Sequence, residues 1–395
     1  LSLARVPLFS LGMRPFFPLA AAYGALAVAA WVPWYLGWWS LPAALPPAAW
    51  HAHELLFGFM PAVLAGFLLT AVPNWTGRPA MTGWPLAGLV GLWGLGRLAV
   101  GSSEGLSPLV VAVATLVFPM ALTAITAREV IAARNQRNLK VVACLLALVA
   151  AQALFHWEWA ALRWSPHGEP LAIAALVMLI LIVGGRIVPA FTTNWIRKSN
   201  PGPVPAPTGR LDRLGLVASA VALAGWVLVP TIPSGWILEG GVAALLAVAG
   251  LLTLLRQVRW VPHRTLSEPL VAVLHGAHAL VGLGFLVAAI AVAWPLVGLD
   301  SAAIHVWTAG AIPLMSLAVM TRAARGHSGR ALTAPPGTVA IYVGVAVAML
   351  ARVLAVLLPS LMLVLLPLAA VAWVAALLGF VALYAPMLAR RPANT

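Results

Sequence analysis

The chain has 395 residues, of which 63% are hydrophobic and only 8% charged, with a formal net charge of +14. That mixture excludes a soluble globular domain, whose surface would lack the polar area to stay dispersed. Basic residues scattered among short segments exclude a nucleic-acid-binding patch, and long unbroken apolar runs exclude a β-barrel of short alternating strands.

What remains is an all-α, polytopic protein of the lipid bilayer. Runs long enough to cross a hydrocarbon core of roughly 30 Å at about 1.5 Å per residue fall at 15–36, 51–72, 84–101, 106–127, 139–162, 170–193, 211–230, 236–255, 268–293, 302–322, 336–357 and 361–388. About twelve transmembrane helices are thus predicted. The first is read as a retained span, being too long for a cleaved leader. Alternate connectors carry Arg14, Arg78, Arg128, Lys140, Arg197, Arg256, Arg322, Arg390 and Arg391, whereas the other set holds only Arg163. The positive-inside rule then places both termini in the cytoplasm. The Pro- and Gly-rich connector 194–213, with "SNPGPVPAPTG", reads as a cytoplasmic linker joining a six-helix half, 1–193, to a second half, 214–395, in one membrane domain. Cys144 is alone, so neither a disulfide nor a thiolate cluster is available within the chain.

Ionisable side chains inside a bilayer cost several kcal/mol and mark function by default. Taken in chain order, "WHAHELLFGF" puts His51, His53 and Glu54 at the outer end of the second span. Pro46 and Pro47 favour a helix that begins near Pro47. On a regular helix two positions are about 200° apart, so His51 and His53 would face different partners. Glu54 lies three positions after His51 and suits a ring N–H, a proton or the helix end itself. His156 lies near the outer end of the fifth span, and His305 near the outer end of the tenth. His275 and His278 lie deeper in the ninth, three apart and on one face. His327 closes the tenth span at its cytoplasmic end. Histidines at one depth on several helices are how a bundle builds a metal site; a packing histidine or a proton relay is the competing reading. Arg97 and Arg352 also lie inside spans and need anions, from a carboxylate or from heme propionates, unless they snorkel to headgroups.

At these residues the sequence resembles the NnrS family of bacterial inner-membrane proteins. The stretches that carry the resemblance are "FSLGMRPFFPLAA", with Arg14, "WHAHELLFGF", "EPLVAVLHGAH", "HVWTAGAIPLMSLAVMTRAARGHSGR" and "ARVLAVLLP", in order along nearly the whole chain. The resemblance implies a twelve-span protein of the inner membrane containing heme, of b type, and copper, linked to nitric oxide metabolism and nitrosative stress. The family's histidines map to His51, His53, His156, His275, His305 and His327; His278 stands where another residue is expected. The implied function is binding and reduction of nitric oxide, with Glu54 as proton donor and Arg97, Arg352 and Arg14 on the cofactor. Electrons would come from a quinol or a periplasmic redox protein, since the chain has no c-type heme motif. The alternatives are a transporter or heme/copper delivery factor, and a protein that sequesters nitric oxide without turnover.

Overall fold

The computed structural model describes residues 3–231 and 235–390; Arg391 lies outside them. Among the described residues the chain is helical, without strands. The main helices are α1 (Met13–Tyr35), α2 (Pro47–Thr76), α3 (Trp84–Gly101), α4 (Pro108–Ala132), α5 (Leu139–Leu162), α6 (Gly168–Ser199), α7 (Arg210–Thr231), α8 (Trp236–Val258), α9 (Pro269–Ala293), α10 (Leu299–His327), α11 (Pro336–Leu357) and α12 (Met362–Leu388). Eleven of the helical segments are long and apolar enough to cross a membrane. The exception is α3, whose 18 residues include Arg97 and several glycines that dilute its hydropathy. The chain is a multi-pass helical membrane protein, as its composition requires.

The ends of these helices follow local chemistry. Pro47, Pro108, Pro269 and Pro336 open α2, α4, α9 and α11 at the first position, where a missing N–H costs nothing. Ser107 caps α4 by accepting from Val110 N at 3.3 Å. Glu268 caps α9 by accepting from Leu270 N and also holds Ala334 N, each at 3.1 Å. Gly77 ends α2 in the left-handed region, at φ 69°. Outward faces stay apolar, with Leu109, Leu363 and Val371 exposed, because lipid is their solvent.

Contacts gather the chain into two compact units. The first comprises Leu1–Ala172, Met320–Ala331 and Trp373–Thr395. Its centre holds Phe16, Phe17, Phe57 and Phe155, all fully buried, with Phe16 tilted on Phe118 at 5.7 Å. Trp373 donates to Gly24 O at 2.9 Å and so ties α12 to α1. The second unit comprises Ile173–Val319 and Leu332–Ala372. Here α8 and α9 approach through glycines: a Cβ on Gly250 would lie 2.9 Å from Gly282 O, and one on Gly282 would lie 2.7 Å from Leu254 Cγ. Close backbone approach of this kind replaces the missing hydrophobic drive between helices in lipid. Gly250→Ala is expected to force the pair apart and cost about 1–3 kcal/mol, read as a lower melting temperature in detergent.

The predicted linker is partly helical, since α6 continues to Ser199. Its non-helical part, 200–209, is pinned within the second unit. Arg264 Nη2 donates to Asn200 O at 2.8 Å, and Ala206 N donates to Arg259 O at 3.0 Å.

Among the described residues, three helices depart from regular winding. Glu54–Phe59 in α2, Ile180–Gly184 in α6 and Val306–Ala311 in α10 are π turns. Each precedes a proline: Pro61, Pro189 and Pro313. Proline lacks the N–H and crowds the carbonyl four residues back, so the ladder must open there. A π turn takes up the extra residue, and such turns concentrate at functional sites.

Candidate functional site

The regular winding of α2 begins at Pro47 and ends at His53, so the "HAHE" block sits where helix passes into π turn. His51 and His53 face different neighbours. His51 stacks on Trp31 of α1, with ring centroids 3.8 Å apart and planes at 17°. His53 points inward, and it and Glu54 are both fully buried.

Glu54 is saturated with donors. Its Oε1 accepts from His53 Nδ1 at 2.7 Å and from Arg97 Nη1 at 2.5 Å, and its Oε2 accepts from the Tyr23 hydroxyl. The pairing with His53 joins adjacent residues, whereas spacing had put Glu54 on the face of His51. Arg97 reaches the carboxylate across Gly58, where a Cβ would collide with the guanidinium. Trp93 donates to Gly58 O at 3.0 Å and packs edge-on against Tyr23 at 5.4 Å. The anion that Arg97 needs is therefore supplied by the chain itself. A buried guanidinium–carboxylate pair is favourable only when its polar atoms are satisfied; here Tyr23 and His53 complete the carboxylate, while Arg97 Nε has no hydrogen-bond partner among the described residues.

A carboxylate can only accept here, so His53 carries its proton on Nδ1 and turns the Nε2 lone pair outward. That Nε2 lies 3.3 Å from His156 Nε2 of α5. The same His156 nitrogen lies 2.9 Å from Thr115 Oγ1 of α4, whose hydroxyl donates to Ala112 O at 3.0 Å. Phe57 and Phe155 enclose the pair, with their ring centroids 5.4 Å and 5.3 Å from that of His53. His156 also forms part of the wall of a cavity of about 370 Å³ that includes Leu45, Pro108, Val111, Trp159 and Arg163. The buried histidine pair thus meets a mostly apolar space.

The other predicted residues lie apart from this cluster or in the second unit. Arg14 is buried and donates to Leu388 O at 2.9 Å and Arg390 O at 2.6 Å, closing the C-terminal end of α12. His327 is exposed at the end of α10. In the second unit, His305 Nδ1 donates to Ser301 O at 2.6 Å, just before the π turn of α10, and Arg352 lies part-buried on α11. His275 and His278 are buried on α9 beside Trp260, at 6.5 Å and 4.7 Å between ring centroids. Arg256, read from sequence as a loop cation, is buried in α8. It bonds Asp212 Oδ1 at 2.8 Å, Leu181 O at 3.3 Å and Gly185 O at 3.4 Å. Gly185 is the residue four before Pro189, so Arg256 satisfies a carbonyl that the proline leaves free.

Sequence reasoning missed Tyr23, Thr115, Thr192, Gln257 and the Asp212–Arg256 pair. The one available signal was scarcity: with nine acids in the chain, a carboxylate such as Asp212 near an apolar run is itself informative. Among the described residues no group of three or more His, Cys, Asp and Glu side chains is arranged to hold a metal ion. Any ion here would rest on two histidines, because Glu54 is filled by its own donors.

No curated protein matches the chain. Residues 7–391 match the family described as NnrS protein. A match over nearly the whole length, on a chain of apolar helices with its "HAHE" block buried against an arginine and a second histidine, places this protein in the NnrS family.

Proposed function

We propose that the chain is a heme- and copper-containing protein of the bacterial inner membrane that binds and reduces nitric oxide, with the His53–His156 pair at its working site. The observation that carries this reading is the 3.3 Å separation of the two Nε2 atoms. Two imidazoles on one tetrahedral ion, with bonds of roughly 2.0–2.1 Å, hold their nitrogens about 3.3 Å apart. The same distance serves as a hydrogen bond between the rings when no ion intervenes: Thr115, whose own proton goes to Ala112 O, places the proton on His156 Nε2, and ion binding there requires the His156 proton to move to Nδ1. Glu54 supports the first use: it fixes the His53 tautomer and orientation, as carboxylates behind metal-bound histidines do. Heme fits less directly, through the cavity beside His156, whose wall carries Arg163 as a cation for a propionate.

Bound heme and copper would supply electron storage and an open position for a small neutral ligand. The residues supply the rest. Two molecules of nitric oxide take up two electrons and two protons to give nitrous oxide and water. Nitric oxide is apolar enough to enter from lipid through a cavity such as that at His156. Protons travel along hydrogen bonds, and Tyr23, Glu54 and His53 form a continuous chain of them that ends at the His53 ring. The phenylalanines exclude water from the pair. Electrons come from a quinol or a periplasmic redox protein.

His53→Ala is expected to remove one metal from the protein purified in detergent while the helical circular dichroism stays unchanged. The check is metal content beside the optical spectrum with dithionite and nitric oxide, with nitrous oxide measured as product. Unchanged heme and copper in that variant would overturn the site. Nitrosyl binding without nitrous oxide in the wild type would leave sequestration, and exchangeable metal would leave delivery.

A further inference from the structure

At the arginine-rich end of the first unit, a cavity of about 330 Å³ opens between α2, α4 and the connector 77–83. Its walls are largely apolar, with Leu68, Leu69 and Val72 from α2, Ile125 from α4 and Met81 from the connector. The connector is pinned at both ends: Asn135 donates to Trp75 O at 2.8 Å, and Gly83 N donates to Phe9 O, also at 2.8 Å. The cavity is therefore built into the fold. Thr126 lines it, is 1% exposed, and has a hydroxyl without a hydrogen-bond partner among the described residues. Nearby hydroxyls are committed, Thr76 to Val72 O at 2.8 Å and Thr123 to Pro119 O at 2.7 Å. Leaving a buried hydroxyl unmet is costly. Glu129 lines the same cavity three residues further along, on the same face of α4. Arg128 donates to its Oε1 from Nε at 2.9 Å and from Nη2 at 2.6 Å, and Arg78 donates to its Oε2.

We propose that this cavity binds the ring of a quinol drawn from the bilayer, with one hydroxyl donated to Glu129 Oε2 and the opposite oxygen accepting from the Thr126 hydroxyl. An apolar space with a few convergent polar groups is the usual form of a small-molecule site, and a quinol is an apolar ring with an oxygen at either end. Residues three apart on a helix hold their Cβ atoms about 5–6 Å apart, so one ring reaches both side chains. Glu129 Oε2 takes only the Arg78 donor among the described residues, and a carboxylate oxygen accepts more than one. The same ion pairs argue against a phosphate or an anionic headgroup. Both guanidiniums are engaged by Glu129, and an anion would lie beside the carboxylate. A quinol that leaves as quinone gives up two electrons and two protons, the number that two nitric oxide molecules take up in forming nitrous oxide and water. That use rests on the function proposed above and selects a quinol over a periplasmic donor; the binding itself does not depend on it.

The test uses the full chain in detergent, freed of native quinone, with a short-chain azido-p-benzoquinone as photoaffinity probe and mass spectrometry to find the labelled peptides. Label is expected on 68–82 and 125–129, and excess decylubiquinone should prevent it. Ala80→Trp fills the cavity from the connector and should remove the label. Thr126→Val and Glu129→Gln should each raise the half-saturating probe concentration about 10-fold. Glu129→Gln breaks only ion pairs to exposed arginines, so its helical circular dichroism should match wild type. The proposal is overturned if Ala80→Trp, eluting as wild type on size exclusion, keeps the label, or if Thr126→Val and Glu129→Gln both bind as wild type. It is also overturned if native mass spectrometry finds a phospholipid that Ala80→Trp removes and excess decylubiquinone does not displace. The labelling needs no nitric oxide and no turnover, so this proposal and the reductase reading fail separately.

Discussion

Glu54→Ala is expected to be the most damaging single change in the first unit, lowering stability by about 3–5 kcal/mol. The reason is what it leaves behind. Arg97 is buried, and its Nη1 is bonded to Glu54. Without the carboxylate, a guanidinium stays in the interior with no anion, Tyr23 loses its acceptor, and His53 loses the bond that sets its tautomer. Unfolding titrations in detergent read the loss. Glu54→Ala/Arg97→Leu is expected to recover much of it, because removing both charges is far less costly than removing one. If the single and double variants are equally unstable, the ion pair is not what the cluster depends on. The proposed nitric oxide reduction should be absent in both, since neither orients His53.

Arg256→Leu is expected to produce a loss of similar size, about 3–5 kcal/mol, in the second unit. Arg256 serves three acceptors at once: Asp212, Leu181 O and Gly185 O. The two carbonyls belong to α6 at its π turn, so the arginine stabilises an irregular backbone as well as a charge. Asp212 would keep Arg259 Nη1 at 3.2 Å and Gly209 N at 2.7 Å. Hydrogen exchange should therefore rise chiefly across 180–189 rather than at the start of α7. Exchange unchanged in α6 would show that the π turn holds itself open without the guanidinium.

The two arginines follow one pattern. Each enters beside a glycine of a broken helix, Gly58 for Arg97 and Gly185 for Arg256, and a Cβ at either glycine would overlap the guanidinium. From sequence the two looked unlike: Arg97 lay against the charge rule inside a span, and Arg256 seemed an ordinary loop cation. Both are internal because a proline two or more residues further on opens the helix that each one supports. Sequence shows the prolines and glycines, but not which distant cation fills the gap.

Composition and periodicity alone determined that this is a multi-pass helical membrane protein, and placed the helices to within a few residues. Crossing lipid demands about twenty apolar residues with every backbone group bonded internally, and that demand is written locally in the chain. The start of α2 at Pro47, the divergence of His51 from His53 and the need of Arg97 for an anion were legible for the same reason. Tertiary structure decided the partners. Glu54 answers Arg97 and His53, His156 meets His53, and Gln257 and Thr192 set the tautomers of His278 and His275. Those pairings span 21 to 103 positions, apart from the adjacent His53 and Glu54. They depend on which faces the helices turn to one another, and packing in lipid sets those faces through shape and hydrogen bonds rather than through any pattern within one segment.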